Sequence, residues 1–355
     1  MPRLRTVSPS QSGLTRRRQG RGFCYLDGED RVTDPAVLAR IRDLVIPPAW
    51  QDVWICRQPN GHIQAVGTDD AGRRQYLYHP AWRELRDKAK HDRMLQMAAR
   101  LPRARRRVTE HLALAGMPRE RALAAAFRLL DLGFFRVGGE TYAEQNGSYG
   151  LATILREHVR VQGDRIVFEY TAKSGQHRLV AVGDPQVLEA VRLLCRRRGG
   201  GDELLAYKRA GRWVDVTSAD INDYVKQVVG GVFSAKDFRT WHGTVLAAVA
   251  LAVSTHVADT PTARRRAVAR AMREVADYLG NTPAVARSSY VDPRVVDLFE
   301  DGVTVEPALR RLGAGVDTGQ PATHGAMERA VLAMLRTAPD ARARAARSRA
   351  AARAA

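Results

Sequence analysis

The 355-residue sequence predicts an α+β protein, with a small N-terminal antiparallel β-sheet domain followed by a larger, mainly α-helical domain that carries a β-hairpin. Three observations predict it. Segments 53–56, 62–66 and 75–79 are short, alternating or β-rich, and are separated by PNG and DDAG turns. From about Trp82 the apolar spacing becomes helical, in Leu85, Ala89, Met94 and Leu95 and again in Leu123, Phe127 and Leu130. Segments 165–170 and 177–182 read as two strands joined by the tip Thr171, Ala172, Lys173, Ser174, Gly175, Gln176.

Taken in order, residues 1–20 are polar and arginine-rich and are expected to form a mobile basic arm. The sheet domain covers 21–82. Within it apolar residues cluster at 23–26, and Asp34 with Pro35 opens a helix through Ile41 and Leu44 that Pro47 and Pro48 end. The helical domain covers 83–320. Thr217 or Ser218 caps a helix beginning near Ala219, and 243–257 reads as a buried helix. Val268, Met272, Val275 and Leu279 share one helical face, Gly280 stops that helix, and Thr282-Pro283 restarts the chain in another. Residues 321–355 hold one short apolar helix, 331–335, and then an Ala/Arg tail expected to be a loose cationic arm.

Composition narrows the partner. Of the net charge of +19, residues 1–22 carry +6 and residues 321–355 carry +5, so the part between them is still basic at +8. Such a surface suits a polyanion, because neutralising phosphates releases their condensed counterions. Double-stranded DNA is the expected partner. Cys24, Cys56 and Cys195 are isolated, which argues against a disulfide framework or a zinc site. The most apolar run, 245–253, is too short to span a bilayer, and the N-terminus has no apolar signal core. The expectation is a cytoplasmic protein on nucleoid DNA, with no membrane association. Without heptads a monomer is the default, with no obligatory protein partner.

The chemistry-bearing residues are spaced along the helical domain. Only six of the 57 basic residues are lysines, so a lysine at a special position is informative. Lys173 sits at the hairpin tip and Lys236 opens the run KDFRTW, which also holds Arg239. Lysine can give up a proton where a guanidinium effectively cannot. Tyr290 follows Asn281 by nine residues, on a short connection after the Gly280 helix stop. Phosphodiester transfer to tyrosine needs a nucleophilic hydroxyl, rigid cations on the non-bridging oxygens and a proton donor for the leaving 5′-oxygen. Tyr290, Arg136 in LGFFRVGGE with Arg239, and Lys173 supply these in turn.

With those residues in view, the chain from about Gly20 to Glu300 resembles the type IB DNA topoisomerases, in particular their compact poxvirus-like bacterial branch. That family carries an arginine in an F-x-R-x-G-like element, a lysine on a β-hairpin, a K-x-x-R-T box, and a tyrosine nine residues after a histidine. Arg136, Lys173, Lys236 with Arg239, and Tyr290 match directly. Asn281 stands where many members have the histidine; an amide can donate the same hydrogen bond but cannot be a cation or shuttle a proton. The run GRRQYLYHPAW is similar to the family strand that reads the major groove, which makes Gln75, Tyr76 and Tyr78 candidate DNA contacts, with Tyr76 and Tyr78 on one face. Tyr142 similarly matches a family DNA contact.

The resemblance implies that two domains clamp duplex DNA and relax supercoils through a 3′-phosphotyrosyl link, swivelling and religation, without nucleotide or metal cofactor. The sequence has no GK dipeptide for a Walker A loop and no D-x-D pair for magnesium. Two rivals stand beside this reading. A tyrosine recombinase uses the same covalent chemistry, but Lys236 replaces the first histidine of its H-x-x-R box and the preceding domain reads as sheet rather than helix. An architectural DNA-binding protein would suit the charge, yet leaves the spaced Arg, Lys, Arg and Tyr set without a role.

Overall fold

The computed structural model describes residues 3–140, 143, 146–258, 260–313 and 324–338. The chain forms two compact units that divide between Asp92 and Arg93. The sequence places the boundary at residue 82; the division falls later because helix α2, Pro80–Leu112, runs through that position without a break.

The first unit is built on a six-stranded antiparallel sheet in the order β3-β2-β1-β4-β5-β6. Its strands are β1 Leu14–Gln19, β2 Gly22–Asp27, β3 Asp30–Arg31, β4 Gln51–Ile55, β5 Ile63–Thr68 and β6 Arg74–Tyr78. Helix α1, Pro35–Asp43, starts where Asp34 Oδ1 accepts from the Ala36 and Val37 amides, and it buries Ile41 in a small core with Leu14, Val53, Ile55 and Ala65. The mobile arm expected over 1–20 is corrected here. Its last residues are β1, a central strand hydrogen-bonded to both β2 and β4. Apolar alternation does not mark this strand because an arginine takes an inward place: Arg16 lies over the Phe23 ring at 4.2 Å and donates to the Pro47 and Trp50 carbonyls at 3.1 and 2.5 Å.

The second unit is mainly helical. Along α2 a stripe of Met94, Met97, Leu101, Val108 and Leu112 is buried at helical spacing. It packs in one core with α3 Arg119–Gly133, α4 Pro185–Arg196, α5 Ser218–Val229, α6 Ala235–Val253, α7 Pro261–Leu279, α8 Pro283–Ser289, α9 Pro293–Glu300, α10 Glu306–Gly313 and α11 Gly325–Arg336. Helix α6 is central, with Phe238, Trp241, Val245 and Leu251 fully enclosed. The expected hairpin is present as β8 Arg165–Ala172 and β9 Gln176–Val182, with β7 Val159–Gln162 added on the free side of β8. A second hairpin, β10 Ala206–Arg209 and β11 Arg212–Asp215, lies in a region that reads as helical. Its two-residue turn, Ala210 at φ 48° and Gly211 at φ 80°, matches the right-handed strand twist.

The short helix expected at 331–335 is present and longer, running Gly325–Arg336. Helix α11 enters the core with Val331 and Leu335, and a buried ionic network pins it. Arg105 donates to Asp131 at 2.7 and 2.9 Å and to Glu328 at 2.5 and 3.0 Å, while the Trp241 indole donates to Glu328 at 2.6 Å. Among the described residues no helix is long and apolar enough to cross a membrane.

Candidate active site

The carboxyl end of α7 organises the site. Its last turn leaves four backbone carbonyls without partners inside the helix, and Gly280, left-handed at φ 59°, turns the chain out. Arginines from three other elements reach those carbonyls. Arg239 Nη2 donates to Leu279 O at 2.7 Å, and Arg136 Nη2 donates to Gly280 O at 2.6 Å. Arg178 donates to Asp277 O and Tyr278 O at 2.8 and 2.7 Å.

Arg136 owes its direction to its neighbours. After α3 the chain turns at Phe134, φ 57°, and Phe135 is buried against Phe168 and Tyr170 with ring centroids at 4.9 and 6.1 Å. Extended backbone then sends the next side chain to the opposite side. Arg239 lies one helical turn beyond Lys236, and the start of α6 is held by a reciprocal Ser234–Asp237 capping box and by Arg93 on Asp237 at 2.9 Å. A second Arg239 contact, Nη1 to Phe134 O at 2.7 Å, ties α6 to the turn that precedes Arg136. Lys173 stands exposed at the hairpin tip, which is closed by Ser174 and Gly175 at φ 65° and 70°.

Tyr290 ends α8, a seven-residue helix that Thr282 caps through the Val285 amide. Its backbone is clasped by α6: buried Thr244 accepts from the Asp292 amide at 3.1 Å and shares its one hydroxyl proton between Thr240 O at 2.8 Å and Tyr290 O at 3.2 Å. Gly243 makes this approach possible, since a Cβ there would lie 3.3 Å from both the Cβ and the carbonyl oxygen of Tyr290. The guanidinium of Arg239 sits 5.0 Å from the centroid of the tyrosine ring. Burial acts to raise the phenol's pKa, but the charges of Arg239, Arg136 and Lys236 outweigh it and leave it below its ordinary value. Arg239 is itself enclosed. Burial and the nearby Arg136 charge bring it down to about 10, still cationic at neutral pH.

Arg136, Lys173, Lys236, Arg239 and Tyr290 line one cavity of about 390 Å³, together with Ser148 and Tyr149. Asn281 joins them through Arg136, whose Nη2 donates to Asn281 Oδ1 at 2.8 Å. The carbonyl oxygen must face that donor, so the amide nitrogen points away from it. Nδ2 is buried and has no hydrogen-bond partner among the described residues. Asn281 itself is not among the residues that line the cavity.

Six of the ten residues singled out in the sequence therefore converge. Tyr76 and Tyr78 lie in the first unit, both exposed on one face of β6 with stacked rings 6.0 Å apart. Gln75 falls on the other face of that strand, and its amide donates to Asp69 at 2.9 Å. Tyr142 lies outside the described residues. Gly243, Thr244 and Arg178 are absent from the sequence-level list. A glycine inside a buried helix is a signal of close backbone approach, whereas nothing distinguishes Arg178 from its fellow arginines.

Among the described residues one group has metal-type ligands gathered within 4.8 Å, namely Asp131, His242 and His324. Both Asp131 oxygens already accept from Arg105. Burial would raise this carboxyl, but Arg105 and the two imidazoles hold it well below the usual range. A guanidinium on the shared ligand disfavours a divalent ion, and the group serves the ionic network that pins α11.

Residues 79–301 match the family model described as the catalytic core of eukaryotic DNA topoisomerase I. The chain belongs to the type IB DNA topoisomerases. Residues 22–69 match the model for the N-terminal domain of bacterial DNA topoisomerase IB, which covers most of the first unit's sheet. DNA topoisomerase 1B of Acanthamoeba polyphaga mimivirus is 29% identical over 299 residues, 81% of this chain and 88% of that protein. DNA topoisomerase 1B of vaccinia virus (strain Copenhagen) is 22% identical over 237 residues, 66% of this chain and 72% of that protein. The mimivirus match is longer than the helical unit and so reaches into the sheet unit as well.

Proposed function

We propose that this topoisomerase relaxes supercoiled duplex DNA by transient cleavage of one strand through Tyr290, with neither ATP nor a metal ion. The observation that carries the reading is the convergence of Tyr290 and four cations on a single cavity. In the forward step Tyr290 Oη attacks a backbone phosphorus, its proton passing to solvent. The new bond is a 3′-phosphotyrosyl ester, and the bond that breaks is that to the 5′-oxygen, which takes a proton from Lys173. Arg136, Arg239 and the Asn281 amide stabilise the negative charge that builds on the non-bridging oxygens. Lys236, exposed at the cavity wall, adds positive charge beside the phenolate. In the reverse step Lys173 recovers the proton, the 5′-hydroxyl attacks, and Tyr290 leaves. Religation draws on the bond energy held in the covalent link, so no nucleotide enters the cycle.

The lowered phenol pKa supports this reading. A phenolate is the nucleophile, and the cations that favour it are the ones that next bind the phosphoryl group. Exposed Tyr76 and Tyr78 present ring faces and hydroxyls suited to sugar and base edges, and we assign them to DNA contact. The test is relaxation of supercoiled plasmid in EDTA without ATP, with the intact protein beside Tyr290→Phe. Relaxation by the former and none by the latter is expected; equal relaxation by both removes Tyr290 from the chemistry.

A further inference from the structure

We infer that Arg178 is a positioning residue for strand cleavage, holding the end of α7 so that Asn281 and the two phosphate-binding arginines stand in register with the Lys173 hairpin. The inference rests on the proposed role of Tyr290 and its neighbours. Its basis is the pattern of contacts at one helix terminus. Carbonyls 277 and 278 belong to Arg178, 279 to Arg239 and 280 to Arg136. Four successive carbonyls are thus claimed by three arginines, of which Arg178 alone does not line the cavity.

Its place in the fold makes the link. Arg178 is on β9, the strand that leaves the Lys173 tip, and it pairs with Tyr170 across β8. Its fork therefore bolts the strand that presents the proposed proton donor to the turn that presents Asn281. The contact is close. A Cβ on Gly280 would lie 3.1 Å from Arg178 Nη1 and 3.2 Å from Gln176 Oε1, so the turn and the strand meet with no space for a side chain between them. A planar guanidinium can serve two adjacent carbonyls at once, and its charge complements the negative end of the helix. A lysine can do only part of this. Without the fork, Asn281 and the Arg136 that holds it lose a fixed distance to the hairpin, and a displacement of about 1 Å at such a site costs up to about a hundredfold in rate.

The experiment measures covalent complex formation on plasmid DNA, trapped with SDS at saturating enzyme, so that the rate constant is independent of the fraction of active protein. Arg178→Met should slow this step tenfold or more, to an extent on the order of a misplaced catalytic group, while duplex affinity measured in the Tyr290→Phe background stays within about twofold. Arg178→Lys should fall between wild type and Arg178→Met, and it decides the matter if Arg178→Met does not fold. The double variant with Asn281→Ala should be no slower than the slower single variant. A rate for Arg178→Met within twofold of wild type, a wild-type rate for Arg178→Lys, or multiplicative losses in the double variant would overturn the inference. Covalent complex formed by Tyr290→Phe itself would instead overturn the reading of the site on which it rests.

Discussion

At the scale of single residues, Asn281 is where this site departs most from the pattern its family resemblance implies. Its carbonyl is spent on Arg136 and its amide nitrogen is buried without a partner among the described residues, so the side chain has two N–H groups to give and no proton to exchange. Removing one pre-organised oxyanion donor costs on the order of a hundredfold or more in rate. Asn281→Ala should therefore slow single-turnover cleavage by about that factor, with little change in DNA affinity. Asn281→Asp should be slower still, because a carboxylate repels the phosphate and competes for Arg136. Asn281→His should retain most of the rate if a neutral donor suffices, and cleavage rates for the three variants, read against wild type, check the ranking. Tyr290 obeys a related logic. Because its folded pKa lies below the unfolded value of about 10, the stabilisation it brings is full above that value and is lost as pH falls through the folded one. Replacing Arg239 with a neutral side chain should move the Tyr290 titration upward.

At the scale of elements, the site depends on how α6 grips the connection that carries Tyr290. Thr244 is fully buried and bridges Tyr290 O and the Asp292 amide. Thr244→Val keeps the shape but orphans a buried amide, a loss of about 1–3 kcal/mol. Urea unfolding should show that loss, and cleavage should slow beyond what the remaining folded fraction explains. The same elements show what a sequence can and cannot reveal. Asp34 and Thr282 cap through side-chain bonds to amides two or three residues on, and Gly280 gives a left-handed exit, so their roles are written locally and are legible. The residues proposed for catalysis are legible through the runs that carry them, LGFFRVGGE, the hairpin tip, KDFRTW and the nine-residue spacing of Asn281 and Tyr290. Strand β1 is not, because Arg16 fills an inward position through long-range bonds to Pro47 and Trp50. Nor is Arg178, whose partners lie 99 and 100 residues away and whose residue type fills the surface.

At the scale of the whole molecule, two charge systems set behaviour with pH and salt. The buried group of Arg105, Asp131, Glu328, His242 and His324 joins α2, α3, α6 and the start of α11. Burial holds the His242 imidazole below its ordinary value, against the opposing pull of Asp131. Folding therefore keeps His242 neutral where the unfolded chain would protonate it. By linkage the stability it contributes is full above the unfolded value of about 6.5 and is lost as pH falls below that. Asp131, held far lower, adds a loss only in stronger acid. Denaturant midpoints should drop between pH 7.5 and pH 5, and His242→Asn should flatten that drop, whereas an unchanged slope would assign it to other groups.

The second system is the cationic sequence after Ala338. Residues 339–355 carry five arginines and one aspartate, a net charge of +4 on a short stretch of chain. If these cations neutralise phosphates in the complex, each contributes close to one unit to the slope of log affinity against log salt. A chain ending at Ala338 keeps the whole of α11, including Glu328 and its bonds to Arg105 and Trp241. Its salt slope should be shallower than that of the full chain by up to about 4. Its cleavage rate at saturating DNA should be unchanged, because the residues proposed for catalysis all lie between Arg136 and Tyr290. An unaltered slope would place all of the phosphate contacts on the two folded units.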